Sequence, residues 1–421
     1  MAREYKDSGI EWIGQIPKEW DSIRLKYLCT IQTGNKDTQD ATPDGIYPFY
    51  VRSPKVEKSE AYSFDGEGIL MAGDGVGAGR VFHHVFGKYA VHQRVYRLAN
   101  ITGINSSFLF YYISNLFGKE MDRGSAQSTV PSVRLPMLQN FIISAPSTSE
   151  QQKIANYLDK VCGEVDEMIA LQEQMIEELK AYKQSVITET VTKGLNPNVP
   201  MKDSGIDWIG EVPKHWGIIK MNHLCSIITD FVASGSFESL RVNVPYLDTP
   251  DYAMLVRTAD LSGSARSSGK VYISEHSYNF LNNSNLFGGE IVLPNIGASV
   301  GDVYIVPKLY ERMSLAPNAI MFKTMMCDKY YYYYFCSKIG KESIYNISQS
   351  TAQAKFNKTE LREIRVPTPS LEEQQSIASY LDTKCAEIDA LIAIKQAKID
   401  ELKDYKKSVI YEYVTGKKEV V

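Results

Sequence analysis

Residues 73–80 read GDGVGAGR, the stretch whose residue types and spacing come nearest to a known chemistry. Gly73, Gly75 and Ala78 satisfy the G-x-G-x-x-[GA] spacing with which a strand-to-helix turn holds a dinucleotide pyrophosphate. That chemistry requires a helix next, and RVFHHVFGKYAVH reads as strand. A tight β-turn whose backbone passes close to another group fits better. A later counterpart, NIGASVGD, has lost the spacing. No G-K-[ST] phosphate loop follows any strand. His83, His84, His92, His215, His223 and His276 make no HExxH or CxxH spacing, the six cysteines form no CxxC, and G-x-S-x-G is missing. NPNV at Asn196 lacks the second proline and the aromatic residue of the Asn-Pro-Pro-aromatic motif of amino-methyltransferases. These residue types imply binding rather than catalysis.

The elements that position them come in duplicate. KDSGIEWIGQIPKEW starts at Lys6 and KDSGIDWIGEVPKHW at Lys202, a displacement of 196. EQQKIANYLDKVCGEVDEMIA starts at Glu150 and EQQSIASYLDTKCAEIDALIA at Glu373, a displacement of 223. Between them YVRS at Tyr50 answers LVRT at Leu255, and AQST at Ala126 answers SQST at Ser348. ILMAGDGVGAGRVF at Ile69 answers IVLPNIGASVGDVY at Ile291, with Gly75/Gly297 and Gly79/Gly301 in register. Each half therefore reads short motif, globular block, long helix. The displacement grows from 196 to 223, so the second block is longer by 27 residues. Cys29/Cys225 and Cys162/Cys385 are copies, which predicts thiols packed in equivalent places and fits a reducing cytoplasm.

The blocks predict mixed α and β structure. IYPFYVRS, RVFHHV, KYAVHQRVYRL and GDVYIVP read as strands. NSSFLFYYISNLFGKEM and CDKYYYYYFCSKIGKES each read as one helix. Five consecutive tyrosines cannot face one way on a helix, so that run is assigned to packing rather than base stacking.

Pro146-Ser147-x-x-Glu150 and Pro369-Ser370-x-x-Glu373 predict capping boxes opening the long helices. The first helix alternates apolar steps of four and three through Ile154, Leu158, Val165, Met168 and Leu179. The second follows with Ile377, Leu381, Ile388, Leu391 and Leu402, its stripe shifting near Ile392 and Ile399. A helix of about 40 residues with one apolar stripe is not stable alone, so the two are expected to pair. The predicted fold class is α+β: two mixed α/β heads separated by two long antiparallel coiled-coil helices, with a pseudo-twofold internal repeat. The expected segments are 1–20, 21–145, 146–200, 201–216, 217–368 and 369–421. The four tryptophans, Trp12, Trp20, Trp208 and Trp216, all lie in the repeated motif. They are expected to wedge it onto the helix ends or the blocks, a partner-binding epitope being the other reading. The copy at Lys6 would close the ring from the far end of the sequence.

The 421 residues carry a net charge of −4, which argues against a generally basic nucleic-acid binder. Residues 21–145 hold 13 Lys+Arg against 11 Asp+Glu and residues 217–368 hold 15 against 13, while residues 146–216 hold 7 against 12. Two weakly basic heads thus alternate with acidic helical stretches. No apolar run reaches the ~20 residues of a membrane span, and the first residues are too polar for a signal peptide. Two unlike heads at a fixed separation would suit two short, separated pieces of a long ligand, of which DNA is the obvious one.

With P-S-x-x-E-Q-Q-x-I-A-x-Y-L-D opening each long helix and K-D-S-G-I-x-W-I-G-x-[IV]-P-K-x-W before each head, the chain resembles the specificity subunit of type I restriction–modification systems. The resemblance covers nearly the whole chain. It implies that each head is a target-recognition domain for one half of a bipartite site in double-stranded DNA, and that the helices are spacers. It implies a cytoplasmic, non-catalytic subunit that binds no cofactor. Two methyltransferase subunits would bring S-adenosylmethionine, and motor-nuclease subunits would bring ATP and Mg²⁺.

Base edges are read by Arg, Lys, Asn, Gln and similar side chains. Candidates on and beside the Gly-rich turns are Arg52, Arg80, His84, Lys88, Gln93 and Arg94 in the first head. In the second they are Arg257, Arg266, Asn295, Ser299, Lys308 and Arg312. Gln127 and Gln349 would buttress these loops or touch DNA. A coiled-coil adaptor with protein-binding heads, and an enzyme with an unrecognised site in one head, remain the competing classes.

Overall fold

The computed structural model describes residues 3–124, 131–262, 269–348 and 354–420. They form two compact units, Met1–Gln174 with Lys395–Val421, and Met175–Ile394. The units do not follow the six sequence segments, because each unit takes one half of each long helix. No described helix is long and apolar enough to cross a membrane.

In the first unit, strands Thr30–Thr33, Val95–Ala99, Gly68–Ala72 and Phe82–Val85 form an antiparallel sheet in that order. A second sheet runs Val56–Ser59, Tyr47–Tyr50, Lys88–Val91, Phe64–Asp65, with its middle pair parallel. The second unit repeats both orders. Cys225–Asp230, Ala319–Thr324, Ile291–Pro294 and Tyr304–Ile305 form one sheet. Tyr272–Ile273, Ala253–Val256, Met313–Leu315 and Asn285–Leu286 form the other, again with a parallel middle pair. The likeness between the blocks is thus a shared topology. Gly68–Ala72 and Ile291–Pro294 are buried along their whole length, as expected of apolar strands covered on both faces.

Helix Ser106–Gly124 covers the first antiparallel sheet. Its counterpart is two helices rather than the expected one, Asp328–Cys336 and Lys338–Ile347. Ser337 breaks it: its hydroxyl donates to the Tyr334 carbonyl (2.6 Å) and accepts the Gly340 N–H (3.0 Å). Four of the five tyrosines are buried and Tyr332 is half-buried, so the run is core. Tyr330 donates to the carbonyls of Val191 and Pro367, and Tyr333 to Asp382. Of the duplicated thiols, Cys162 and Cys385 are buried but Cys29 and Cys225 only half-buried; all are free.

The long helices span Thr148–Lys193 and Leu371–Val414. The capping boxes form only in part. Ser147 and Ser370 accept the N–H groups of Glu150 and Glu373, but the glutamates do not reach back. Glu150 pairs instead with Arg3 (2.8 Å), and Glu373 with His215 (3.1 Å), which ties each helix start to a copy of the repeated motif.

The glutamine after each glutamate does the anchoring. Gln151 donates to the Pro146 carbonyl (2.8 Å) and accepts the Asn105 N–H (2.7 Å), just before helix Ser106–Gly124. Gln374 donates to the Pro369 carbonyl (3.0 Å) and accepts the Cys327 N–H (3.1 Å), just before helix Asp328–Cys336. Both glutamines are buried.

Each repeated motif is a β-hairpin, Tyr5–Asp7 with Gln15–Pro17 and Met201–Asp203 with Glu211–Pro213. Trp20 packs where the second long helix ends at Gly416, and Trp216 where the first ends at Gly194. Both glycines have positive φ, the left-handed conformation that stops a helix. Trp20 and Trp216 are fully buried, Trp12 is half-buried against the core of the first unit, and Trp208, though exposed, donates to the Ser343 hydroxyl (3.1 Å). In the first unit the Lys417 ammonium donates to the Ile13 carbonyl (3.0 Å) and the Tyr411 hydroxyl to that of Trp12 (2.9 Å). The chain's two ends meet there.

Within each unit the helix halves run in opposite directions. In the first, Tyr157 packs on Tyr413 (4.5 Å between rings) and Lys406 pairs with Asp166 (2.6 Å). In the second, Lys183 pairs with Asp389 (2.6 Å). The predicted stripe needs correction at two positions. Ile154, Leu158, Val165, Ile377, Leu381, Ile388 and Leu402 are buried and Leu179 half-buried, but Met168 and Leu391 are each 47% exposed. After Leu158 the next buried residue is Cys162, one place beyond the heptad position, and the stripe continues to Ile176. A straight helix has 3.6 residues per turn, so a strict 3.5 pattern drifts off its face.

Replacing Gln151 by Ala removes two bonds and replacing Gln374 removes three, the third to the Tyr331 hydroxyl, and each leaves backbone groups unpaired. Each substitution is expected to cost about 1–3 kcal/mol. Denaturant unfolding of either variant at the wild-type midpoint would refute the anchoring role.

Candidate nucleic-acid interface

The first head carries an open groove of about 810 Å³ between the Gly-rich turn and the segment after strand Tyr47–Tyr50. Glycine is required in the turn for a stated reason. A Cβ on Gly77 would lie 2.5 Å from the Arg52 carbonyl oxygen, and one on Gly73 would lie 2.8 Å from that of Arg94. The turn is also pinned from behind: Gly75 N–H donates to the Pro131 carbonyl (3.0 Å) and Val133 N–H to that of Gly73 (2.7 Å). Val76, at its tip, is 97% exposed.

The close approach brings Asp74 between two arginines. Its carboxylate pairs with Arg52 (3.0 Å) and Arg94 (3.3 Å). Next to them Gln93 donates to Asp37 (2.9 Å). His92 Nδ1 accepts the Arg94 N–H (3.0 Å), which leaves Nε2 to face Asp37 at 3.4 Å. Arg80 lines the groove and pairs with Asp122 (2.5 Å). Of the candidates, Arg52 and Arg80 line the groove; Arg94 borders it through Asp74, and Gln93 is tied beside it to Asp37. His84 and Lys88 do not line this groove: His84 pairs with Glu67 and stacks on Phe110, and Lys88 sits over Tyr62.

The second head differs at the equivalent places. Ile296 occupies the position of Asp74, each making the same isolated bridge to the segment behind the turn. Asn295 is a buttress rather than an exposed reader: its side-chain N–H donates to the Phe356 carbonyl (2.9 Å). Arg257 is held by Asp260 through Nε (3.0 Å) and Nη2 (2.9 Å) and also donates to the Gly269 carbonyl. Ser299 is exposed on its turn. Lys308 caps the Glu311 carbonyl, and Arg312 lies over Tyr252 beside Glu311. Arg266, Gln127 and Gln349 lie outside the described residues. Sequence reasoning missed Asp74, Asp37 and His92 because it searched for donors. The signal available was an acid in a Gly-rich turn, with arginines on both predicted flanking strands.

A family model described as "Type I restriction modification DNA specificity domain" matches the chain twice, over residues 17–181 and 213–404. The chain belongs to this family. It is similar to the EcoDI specificity subunit of Escherichia coli, 24% identical over 400 residues, covering 90% of this chain and 84% of that one. It is also similar to the MjaVIII specificity subunit of Methanocaldococcus jannaschii, 25% identical over 435 residues, covering 96% and 94%. A solved structure titled for complex assembly and conformational transition of the type I R-M system superposes with a TM-score of 0.66. It is 15% identical and covers 95% of this chain and 99% of that one, a likeness of fold. The family is that of specificity subunits, the non-catalytic components of type I restriction–modification systems.

Burial lowers the His83 pKa below 6.5, and burial with the nearby Arg52 charge lowers that of His92. The unfolded chain therefore takes up these protons first as pH falls. The stabilisation is complete above the unfolded value near 6.5 and is lost as pH drops through the lower folded values. The protection factors of the Val95–Ala99 amides, corrected for the intrinsic pH dependence of exchange, should fall as pH drops below about 6.5. Replacing both histidines by Gln should flatten that slope; an unaltered slope would show that other groups set it.

Proposed function

We propose that each head reads one half of an asymmetric, bipartite site in double-stranded DNA. The long helices set the distance between the halves and dock two methyltransferase subunits, through which motor-nuclease subunits join. The observation that carries this reading is the specificity domain matched twice in one chain, with one strand order and different side chains on the equivalent turns. Asp74 in one head answers Ile296 in the other, and Arg94 answers Asn318, the paired carbonyls accepting from Gly73 and Asn295. Same scaffold with different groove chemistry is what unlike half-sites require.

The ion pairs Lys406–Asp166 and Lys183–Asp389 support an antiparallel, pseudo-twofold pairing of the helices as a coiled coil. Asp389 and Lys406 are the copies, 223 residues on, of Asp166 and Lys183. The acidic stretch, including exposed Glu164, Glu167 and Glu173, faces the methyltransferase subunits rather than DNA. In this reading the chain itself holds no cofactor. S-adenosylmethionine, ATP and Mg²⁺ act on the partner subunits, and the complex works in the cytoplasm.

Mapping of modified adenines in a genome carrying this system is expected to return two different short half-sites with a constant gap. Replacing residues 21–145 by the head of a relative should change one half-site and leave the gap and the other half-site alone. Binding to duplex DNA in the presence of methyltransferase subunits should weaken steeply with salt. A protein-binding adaptor would show neither behaviour. Reversing Glu164, Glu167 and Glu173 to Lys should abolish co-purification with the methyltransferase subunits; intact co-purification would place docking elsewhere.

A further inference from the structure

Resting on that reading, we propose that Asp74 is a positioning residue which orients Arg52 and Arg94 as a paired guanine reader in the first head. The carboxylate is 18% exposed, whereas the two arginine side chains above it are 47% and 64% exposed. Asp74 Oδ1 takes Nη1 of Arg52, and Oδ2 takes Nη1 of Arg94. Each guanidinium has five N–H donors, so one such bond leaves donors for a second partner. Two like charges on adjacent strand ends would otherwise repel. One carboxylate shared between them holds both planes in place.

The backbone supports the same arrangement. Gly73 runs against the carbonyl of Arg94 and Gly77 against that of Arg52, so the residue between them is fixed relative to both arginines. The Gly73 N–H donates to the Arg94 carbonyl (2.8 Å), which locks the strand end to the turn. A phosphate contact needs charge but little orientation. Two-point recognition of guanine O6 and N7 in the major groove needs a guanidinium plane held at a set angle. Holding it before binding removes the ordering cost at the moment of contact.

Among the described residues the second head lacks the device. Ile296 has no charge to share, Asn318 stands where Arg94 does, and Arg257 is tied to Asp260 within its own loop. Guanine selection by a shared carboxylate is therefore specific to the first half-site.

The experiment uses the chain complexed with its methyltransferase subunits and duplexes in which each base pair of both half-sites is varied in turn. With Asp74→Asn, discrimination at the G·C pairs of the first half-site is expected to fall roughly 10- to 100-fold. Discrimination at its A·T pairs and throughout the second half-site should be unchanged. Arg94→Lys, which keeps the charge but loses the planar fork, should reproduce the loss at one G·C pair. Unaltered discrimination in Asp74→Asn would overturn the proposal. So would an equal loss at every position, or a gain of affinity for all sequences, the mark of a carboxylate that only restrains the arginines. Thermal unfolding of both variants controls for a misfolded head. If exchanging residues 21–145 left the half-site unaltered, the DNA-reading assignment itself would fail, a result separate from any obtained with Asp74.

Discussion

A helix of more than forty residues with one narrow apolar stripe has no reason to stay straight or attached unless its first turn is fixed. Here one buried glutamine per helix does this. Gln151 and Gln374 each bridge the carbonyl of the preceding proline and the N–H that opens the aromatic helix of the head. Both ends of the amide are satisfied where water cannot reach, so the site tolerates no alternative orientation. The head and the helix start become one body in each unit. Everything that depends on the direction of the helix follows from that bond pair.

The other ends of the helices are fixed by a different device used twice. A glycine in the left-handed conformation stops the helix, and a fully buried tryptophan from the Asp-Ser-Gly hairpin seals it. In the second unit the hairpin follows the helix directly in the chain. In the first it comes from the chain's opposite end, held by Lys417, Tyr411 and Arg3. The glycine–tryptophan contact forms whether or not a peptide bond joins helix and hairpin, so each helix end needs its own copy of the motif. It also explains why Glu150 and Glu373 leave their capping role: Arg3, just before the first hairpin, and His215, just after the second, hold these carboxylates away from the helix's own N–H.

The duplication, the two long helices, the core role of the tyrosine run and the pairing of motif with helix end were legible because each rests on local repetition or on side-chain direction. The stripe at Met168 and Leu391 was misread because the buried face departs from a strict heptad, Cys162 rather than Val161 being buried after Leu158. The single aromatic helix was misread because Ser337 ends it through a side-chain bond that propensity does not register. Of the groove, the glycines and Arg52, Arg80, Gln93 and Arg94 were legible as types. Their assembly was not, since it depends on strand ends meeting across sheets; the loss of Asn295 to the Phe356 carbonyl is likewise long-range, whereas that of Arg257 to Asp260 is a local pair three residues apart.

The contrast between the heads has a physical consequence for how such a chain changes its target. The glutamine anchors, Trp20, Trp216 and the aromatic helices are buried, so substitution there costs the fold. Arg52, Arg80 and Arg94 are exposed and stand beside a turn whose geometry is set by glycines and backbone bonds rather than by their own side chains. Asp74 and Ile296 occupy one backbone position with opposite chemistry and no change of strand order. Substitutions can therefore accumulate in the groove side chains while the buried elements of the head stay constant. The division between the two is drawn by burial, and the turn from Gly73 to Gly77 marks the boundary in the first head.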